Sequence, residues 1–458
     1  MPPLIPNPFA NLTINQYGAE LRRGTLSAEN TTRAFLDRIA RLDPGLGAYI
    51  HVDASRALEA ARAVDCLLKT GTDLGPLMGV PVAVKDLFHV DGMPPKAGSR
   101  LDVSDVVTAE GPFVQALRRA GCVILGKTWT SEFALGGINF LQKMPWNPWD
   151  AGVQRTVGGS SGGSAVAMAA GLCAFAVGSD TGGSVRMPAA LCGVLGHKLS
   201  ADAFSLDGIF PLSPTLDSIG TFTACAADAV TIFTALTGAA VPEIRITGLR
   251  LAKPAGILYQ DLDHEVAAAM DNALARLAAA GAEIAPMEIP ELAEVEPVFG
   301  QIVPVELIAL LGPERIQRGL DQLDPVSRSR FVPVLDLSAT DYISARIRQT
   351  DLRRRVSEYL GKCDAWITPT TPGLPAPLAD VPDATAAGSW NRRALRNTRP
   401  GNLFGQCAIS LPLSGTTLPV GLQISCAPSQ DARLLGIARA LESALGDTRL
   451  PDVRDFAR

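Results

Sequence analysis

The chain has 458 residues, 47% apolar and 19% charged, with 43 glycines and 34 prolines. That composition falls short of the roughly 25–30% Gly plus Pro of low-complexity chains and excludes disorder, a collagen helix and a coiled-coil rod, while about 150 residues per domain gives a first count of three domains. Lysine and arginine number 41 against 46 acidic residues, a net charge of −5, and the densest basic run is Arg353-Arg354-Arg355, so no nucleic-acid footprint is expected.

Helices are predicted at 13–21, at 27–41, where Ser27 precedes apolar Phe35, Ile39 and Leu42, and at 54–68. The β-branched run 78–84 predicts a buried strand that delivers Lys85 and Asp86 at its end. A helix at 113–120 and a strand at 122–125 follow. No charge occurs from Thr156 to Ser179. Its glycine-rich start is poor helix material, and the apolar part at 165–178 is shorter than the roughly 20 residues a bilayer requires. Residues 165–172 therefore predict a small-residue helix in a core, followed by a strand at 175–178 and a glycine-rich turn ending in Ser184-Val185-Arg186. Beyond lie a helix at 230–236, a strand from Arg250, and an amphipathic helix at 265–280 closed by Gly281. The stretch 295–360 is mostly helical until Pro369, Pro372, Pro375, Pro377 and Pro382 end that pattern, and about 295–400 reads as a cap or insert. Strand texture returns at 364–369 and 418–424, and 432–445 predicts a terminal helix. Alternating strands and helices point to an α/β fold with a largely parallel or mixed sheet.

Eight cysteines without a C-x-x-C pair read as reduced core residues, and His51, His89, His197 and His264 offer no H-x-x-x-H spacing for a metal. The N-terminus lacks a basic region followed by a continuous apolar stretch, which favours the cytoplasm.

Three mechanisms compete for the glycine- and serine-rich run. A phosphate loop requires a lysine after Gly163, and none is there. Gly159-Ser160-Ser161-Gly162-Gly163 has the form of a nucleophile elbow, but 154–157 is a weak strand and only His197 and His264 follow. The third joins Lys85, Ser160 and Ser184. Serine must hand its proton to a base, and a lysine made neutral by burial can serve. The spacings of 75 and 24 residues leave only the fold to bring them together.

The chain resembles the amidase signature family in Gly79-Val-Pro-Val-Ala-Val-Lys85-Asp86, Gly158-Gly-Ser160-Ser-Gly-Gly-Ser164 and Gly178-Ser-Asp-Thr-Gly-Gly-Ser184-Val-Arg186-Met-Pro188-Ala-Ala-Leu-Cys192-Gly193. Supporting matches include Gly126-Lys-Thr, Glu132-Phe-Ala, Asn147-Pro-Trp-Asp150, Ile367-Thr-Pro-Thr and Pro419-Val-Gly-Leu-Gln423. The resemblance implies a large mixed, mostly parallel twisted sheet covered by helices on both faces. It also revises the domain count to one unit over 1–458, with N-terminal helices at about 13–70, a core at about 75–220 and the insert at about 295–400.

It further implies a triad in which Ser184 is the nucleophile, Ser160, after a cis peptide from Gly159, is the bridge, and Lys85 is the base. Backbone N–H groups of Thr181, Gly182, Gly183 and Ser184 would form the oxyanion hole, with Ser161 as a supporting hydrogen-bond donor. The implied activity is hydrolysis of a small-molecule carboxylic amide, with esters, anilides or carbamates open to the same acyl-serine route. No cofactor, metal, membrane or nucleic acid is expected, and a homodimer is a mild expectation. The alternative is a subunit of a tRNA-dependent amidotransferase. Met187 where that subunit often has glutamine, Trp129-Thr-Ser where relatives often read Asn-Met-Asp, and Lys198-Leu-Ser where they read Lys-Pro-Thr weigh against it. Asp180 and Arg186 read as a structural ion pair, Ser164 as a helix cap, Cys192 as packed, and His89 and His197 as non-catalytic. The acyl pocket is expected between about 128–142 and the insert.

Overall fold

The computed structural model describes residues 6–446 and 449–457. Among these, eleven strands join in one sheet: β1 Tyr49–Val52, β2 Pro81–Lys85, β3 Val123–Thr128, β4 Phe175–Ser179, β5 Leu195–Lys198, β6 Ile219–Thr223, β7 Arg250–Pro254, β8 Glu283–Met287, β9 Ala365–Pro369, β10 Cys407–Leu413 and β11 Val420–Cys426. Their spatial order is β1-β3-β2-β4-β6-β5-β10-β11-β9-β7-β8.

The α/β architecture with a large mixed sheet is the one expected, but the parallel share is smaller. Only β2/β3, β2/β4, β7/β8 and β7/β9 pair in parallel, and the other six contacts are antiparallel. The reason is local. Strands β4, β6 and β5 alternate in direction through the centre, and the hairpin β10–β11 continues that alternation. From β2 to β6 and from β9 to β11, apart from the outlying β7 and β8, every strand residue is buried. Alternate side chains point to opposite faces of a strand, so a fully buried strand must be covered on both. The helices Gly162–Ala169, Arg186–Cys192 and Asp431–Leu445 are among those packed on these strands.

The first helices fall where the periodicity puts them, at Ile14–Arg23, Ala28–Leu46 and Ala54–Lys69. The second runs five residues past its predicted end, through Pro44, and stops at Gly47, whose φ of 68° suits a residue without a Cβ. The uncharged stretch 156–179 folds as a loop, an eight-residue helix and β4. Among the described residues no helix is long and apolar enough to cross a membrane. Five cysteines are buried, but Cys66 is exposed and Cys225 and Cys363 are half-buried, so the core reading holds for part of the set.

Candidate active site

Parallel pairing of β2 with β4 sets the site. The register Val82↔Phe175, Ala83↔Ala176 and Val84↔Val177 brings the C-terminal residues of both strands, Lys85 and Ser179, to one sheet edge. The helix Gly162–Ala169 precedes β4 by a short turn and runs against it, so the helix start returns to that edge. There Lys85 Nζ donates to Ser160 Oγ at 2.7 Å and to Ser179 Oγ at 2.9 Å. The Gly159–Ser160 peptide is cis. The Ser161 N–H donates to the Ser184 carbonyl at 3.2 Å, which ties the two motifs together, and Ser161 Oγ donates to the Ser179 carbonyl at 3.2 Å. Gly163 is required by close approach: a Cβ there would lie 2.4 Å from Trp129 N and 2.5 Å from the Ala48 carbonyl oxygen. Lys85 and Ser160, 75 positions apart, therefore touch at one buried edge, and the backbone of Ser184 is tied to the neighbouring Ser161.

Burial dominates the electrostatics. Lys85 is fully buried, and loss of water pushes its ammonium down to about 7, against the opposing pull of the Asp180 and Asp217 charges. Burial alone would raise Asp180, but Arg186 outweighs it and holds the carboxyl well below the usual range. The two form the expected ion pair, with Arg186 Nη2 2.9 Å from Asp180 Oδ1 and both side chains inaccessible. Asp180 also accepts from the N–H groups of Gly183 and Val185 at 2.8 and 3.0 Å. Arg186 in turn reaches Gln423 Oε1 at 2.9 Å, and Gln423 Nε2 is anchored on Thr368 Oγ1 and the Asn397 carbonyl. Breaking a buried pair strands the surviving charge, which costs about 3–5 kcal/mol. Asp180→Asn should therefore lower unfolding stability by about that much, measured as a reduced midpoint in urea with an unchanged slope.

The turn from Asp180 to Ser184 differs from expectation at one position. The Gly183 N–H is committed to Asp180, whereas those of Thr181, Gly182 and Ser184 have no acceptor among the described residues. Gly183 has a φ of +127°, and a Cβ there would lie 1.9 Å from Thr398 Oγ1, so its glycine serves the shape of the turn. Ser184 is 4% exposed. Thr181 Oγ1 donates to Asp217, whose carboxyl burial pushes up to about 6.

Ser164 is not a cap. It lies inside its helix, where Oγ donates to the Val177 carbonyl at 2.9 Å and pairs with Thr128 Oγ1 at 2.7 Å, stitching the helix to β4 and β3. Cys192 is buried with Sγ 3.6 Å from the Val157 carbonyl. His89 lies outside the cluster, and His197 faces Asp431 at 3.6 Å.

A family model described as Amidase matches residues 30–435. The chain belongs to the amidase family. Among its relatives, a 2-amino-5-chloromuconic acid deaminase of Comamonas testosteroni is 38% identical over 95% of this chain and 97% of that protein. A glutamyl-tRNA(Gln) amidotransferase subunit from Acidothermus cellulolyticus is 34% identical over 97% of each. A crystal structure of an amidase superposes with a TM-score of 0.87 at 30% identity, covering 95% of this chain and all of that one.

Several residues that carried the amidase resemblance hold the site from behind. Lys127 pairs with Asp86 at 2.9 Å, both buried, beside β2, and Asn147 Nδ2 donates to the Thr156 and Leu191 carbonyls around the Gly/Ser run. Ser179 and Asp217 escape sequence reasoning. Ser179 stands in the motif five residues before Ser184, at a predicted strand end level with Lys85, and that level was the available signal. Leu135 from the first of the regions expected to line the acyl pocket, and Phe299 and Arg330 from the second, border one cleft of about 270 Å³ whose lining does not include Lys85, Ser160 or Ser184.

Proposed function

We propose that the chain is a serine amidase that hydrolyses a carboxylic amide through an acyl-Ser184 intermediate. Ser160 passes the Ser184 hydroxyl proton to neutral Lys85 as Ser184 Oγ bonds to the amide carbon. Free N–H groups of Gly182 and Ser184 receive the oxyanion, and one such donor is worth roughly 100–1000-fold in rate in comparable enzymes. The C–N bond then breaks as Lys85 returns the proton through Ser160 to the leaving nitrogen, which departs as ammonia or an amine. Water enters, loses its proton along the same route, and attacks the acyl carbon. Release of the acid restores Ser184. Ester, anilide and carbamate carbonyls fit the same sequence of steps.

The observation that carries this reading is the buried Lys85–Ser160 contact of 2.7 Å, with the lysine pushed to about 7. A base titrating near neutrality is suited to accept and return one proton in each half-cycle. The 38% identical relative bears the name of a deaminase, which is consistent with release of nitrogen from a small acid. The 34% identity to a component of a glutamyl-tRNA(Gln) amidotransferase supports a second reading, in which the chain works inside a tRNA-dependent complex.

Incubating the purified chain with a panel of aliphatic, aryl and carbamate substrates separates the two. The amidase reading expects equimolar acid and ammonia or amine from the chain alone. Inertness toward the whole panel, with activity appearing only on addition of partner proteins, would favour the second.

A further inference from the structure

The cleft beside the 180–184 turn has an unbalanced charge. Leu135, Phe299 and Val303 give it apolar walls, yet the guanidinium-bearing Arg330, Arg392 and Arg399 line it against the single carboxylate of Glu296. Arg399 is 2% exposed, lies 4.8 Å over the Phe299 ring and pairs with Glu296, so its charge is answered. Arg392 is exposed and, among the described residues, hydrogen-bonds only to Ser389 Oγ, one turn away at 3.1 Å. Arg330 is half-buried and has neither a hydrogen bond nor an ion pair among the described residues. Burial, and after it Arg399, pushes its guanidinium down to about 10 against the opposing pull of the Glu296 charge, which leaves it charged at neutral pH. A guanidinium drawn out of water carries five N–H donors that want acceptors, and its planar fork matches a carboxylate.

The cleft also adjoins the chemistry. A Cβ on Gly182 would lie 2.6 Å from Phe299 Cζ and 3.5 Å from Arg399 Cγ. Gly182 is two residues from Ser184, at most about 7 Å along the chain.

We propose that this cleft binds a carboxylate of the substrate, with Arg330 and Arg392 as the residues that select it, so that the amide opened at Ser184 carries an acidic end a few bonds from the scissile carbonyl. The half-amides of C4–C6 dicarboxylic acids and short N-acyl amino acids are of this class. The assignment rests on the Ser184 reading above for its orientation and on the excess of three lining arginines over one carboxylate for its charge.

Two measurements on the full chain test it separately from the hydrolysis. Kinetics compare half-amides and N-acyl amino acids with their uncharged methyl-ended counterparts. Wild type should favour one acidic series about tenfold or more in kcat/KM, mainly through KM, and Arg330→Gln and the exposed-site variant Arg392→Gln should each shrink that ratio. Calorimetry follows binding of succinate, glutarate and adipate to the wild type and both variants, where Arg330→Gln should weaken the best diacid about tenfold or more. An acid-to-neutral ratio near one, diacid binding unchanged in both variants, or a phosphonate-ended analogue bound better than the carboxylate would overturn the proposal. Diacid binding that is lost in the arginine variants, in a chain that hydrolyses neither series, would instead uphold the carboxylate site and overturn the Ser184 reading.

Discussion

Ser184→Ala should reduce amide turnover by roughly a millionfold, the scale seen when the nucleophile of a serine hydrolase is removed, with the remainder supplied by binding and oxyanion donors alone. The loss should fall on kcat, because the cleft and the N–H groups of Gly182 and Ser184 survive the substitution. The hydroxyl of Ser184 makes no hydrogen bond in the resting protein among the described residues, and folding by Ser184→Ala should match wild type in circular dichroism and thermal midpoint. A retained rate within tenfold of wild type would transfer the nucleophile's role elsewhere, with Ser160 the first alternative.

Lys85→Met carries the second large effect. Removing a positioned general base costs about 100–10,000-fold, and here the same residue also returns the proton to the leaving nitrogen. The wild-type pH profile states the sign. Lys85 accepts a proton only when neutral, and its ammonium titrates near 7, so kcat/KM should rise as pH increases through about 7 and level above it. In Lys85→Met the residual rate should lose that limb. Stability changes with pH through the same group. Between about 7 and the ordinary lysine value of 10.5 the unfolded chain holds a proton at Lys85 that the native state lacks, so this residue makes stability increase with pH across that window. A profile flat from pH 6 to 8 in the wild type would contradict a neutral-lysine base.

The parts of this architecture that could be read from the amino acids were those with a local cause. Strand β2 is the end of a short valine-rich apolar run, and any α/β sheet would bury it; Ala28–Leu46 announces itself through Ser27, whose side chain accepts from the Asn30 N–H. Strands β1, β5, β6, β8 and β10 went unseen. The first two have four residues each, and β5 contains a lysine, Lys198, that is buried only because its Nζ finds the Leu199 and Gln406 carbonyls. Gln406 lies more than two hundred residues away, and no window of sequence contains it. The parallel share of the sheet failed for a similar reason, since strand direction is set by which distant strand lies alongside.

The site divides in the same way. Lys85, Ser160 and Ser184 were legible as three motifs, and Asp180 with Arg186 as a pair six residues apart. Asp217 was not, being an ordinary acid in a loop until the fold places it against Thr181. Nor could spacing reveal that the Gly183 N–H would be taken by Asp180. That Arg330 has no hydrogen bond or ion pair among the described residues is visible only in three dimensions, because it is a property of the surroundings.

The mechanism depends most on a covalent acyl group at Ser184. Rapid acid quench of the chain during turnover of an activated amide or ester, followed by intact mass and peptide mapping, reads it directly. The expected result is a single added acyl mass on the peptide containing Ser184, absent from Ser184→Ala and accumulating in step with the first turnover. An acyl group mapped to any other residue, or turnover without a covalent species on that timescale, would contradict the mechanism.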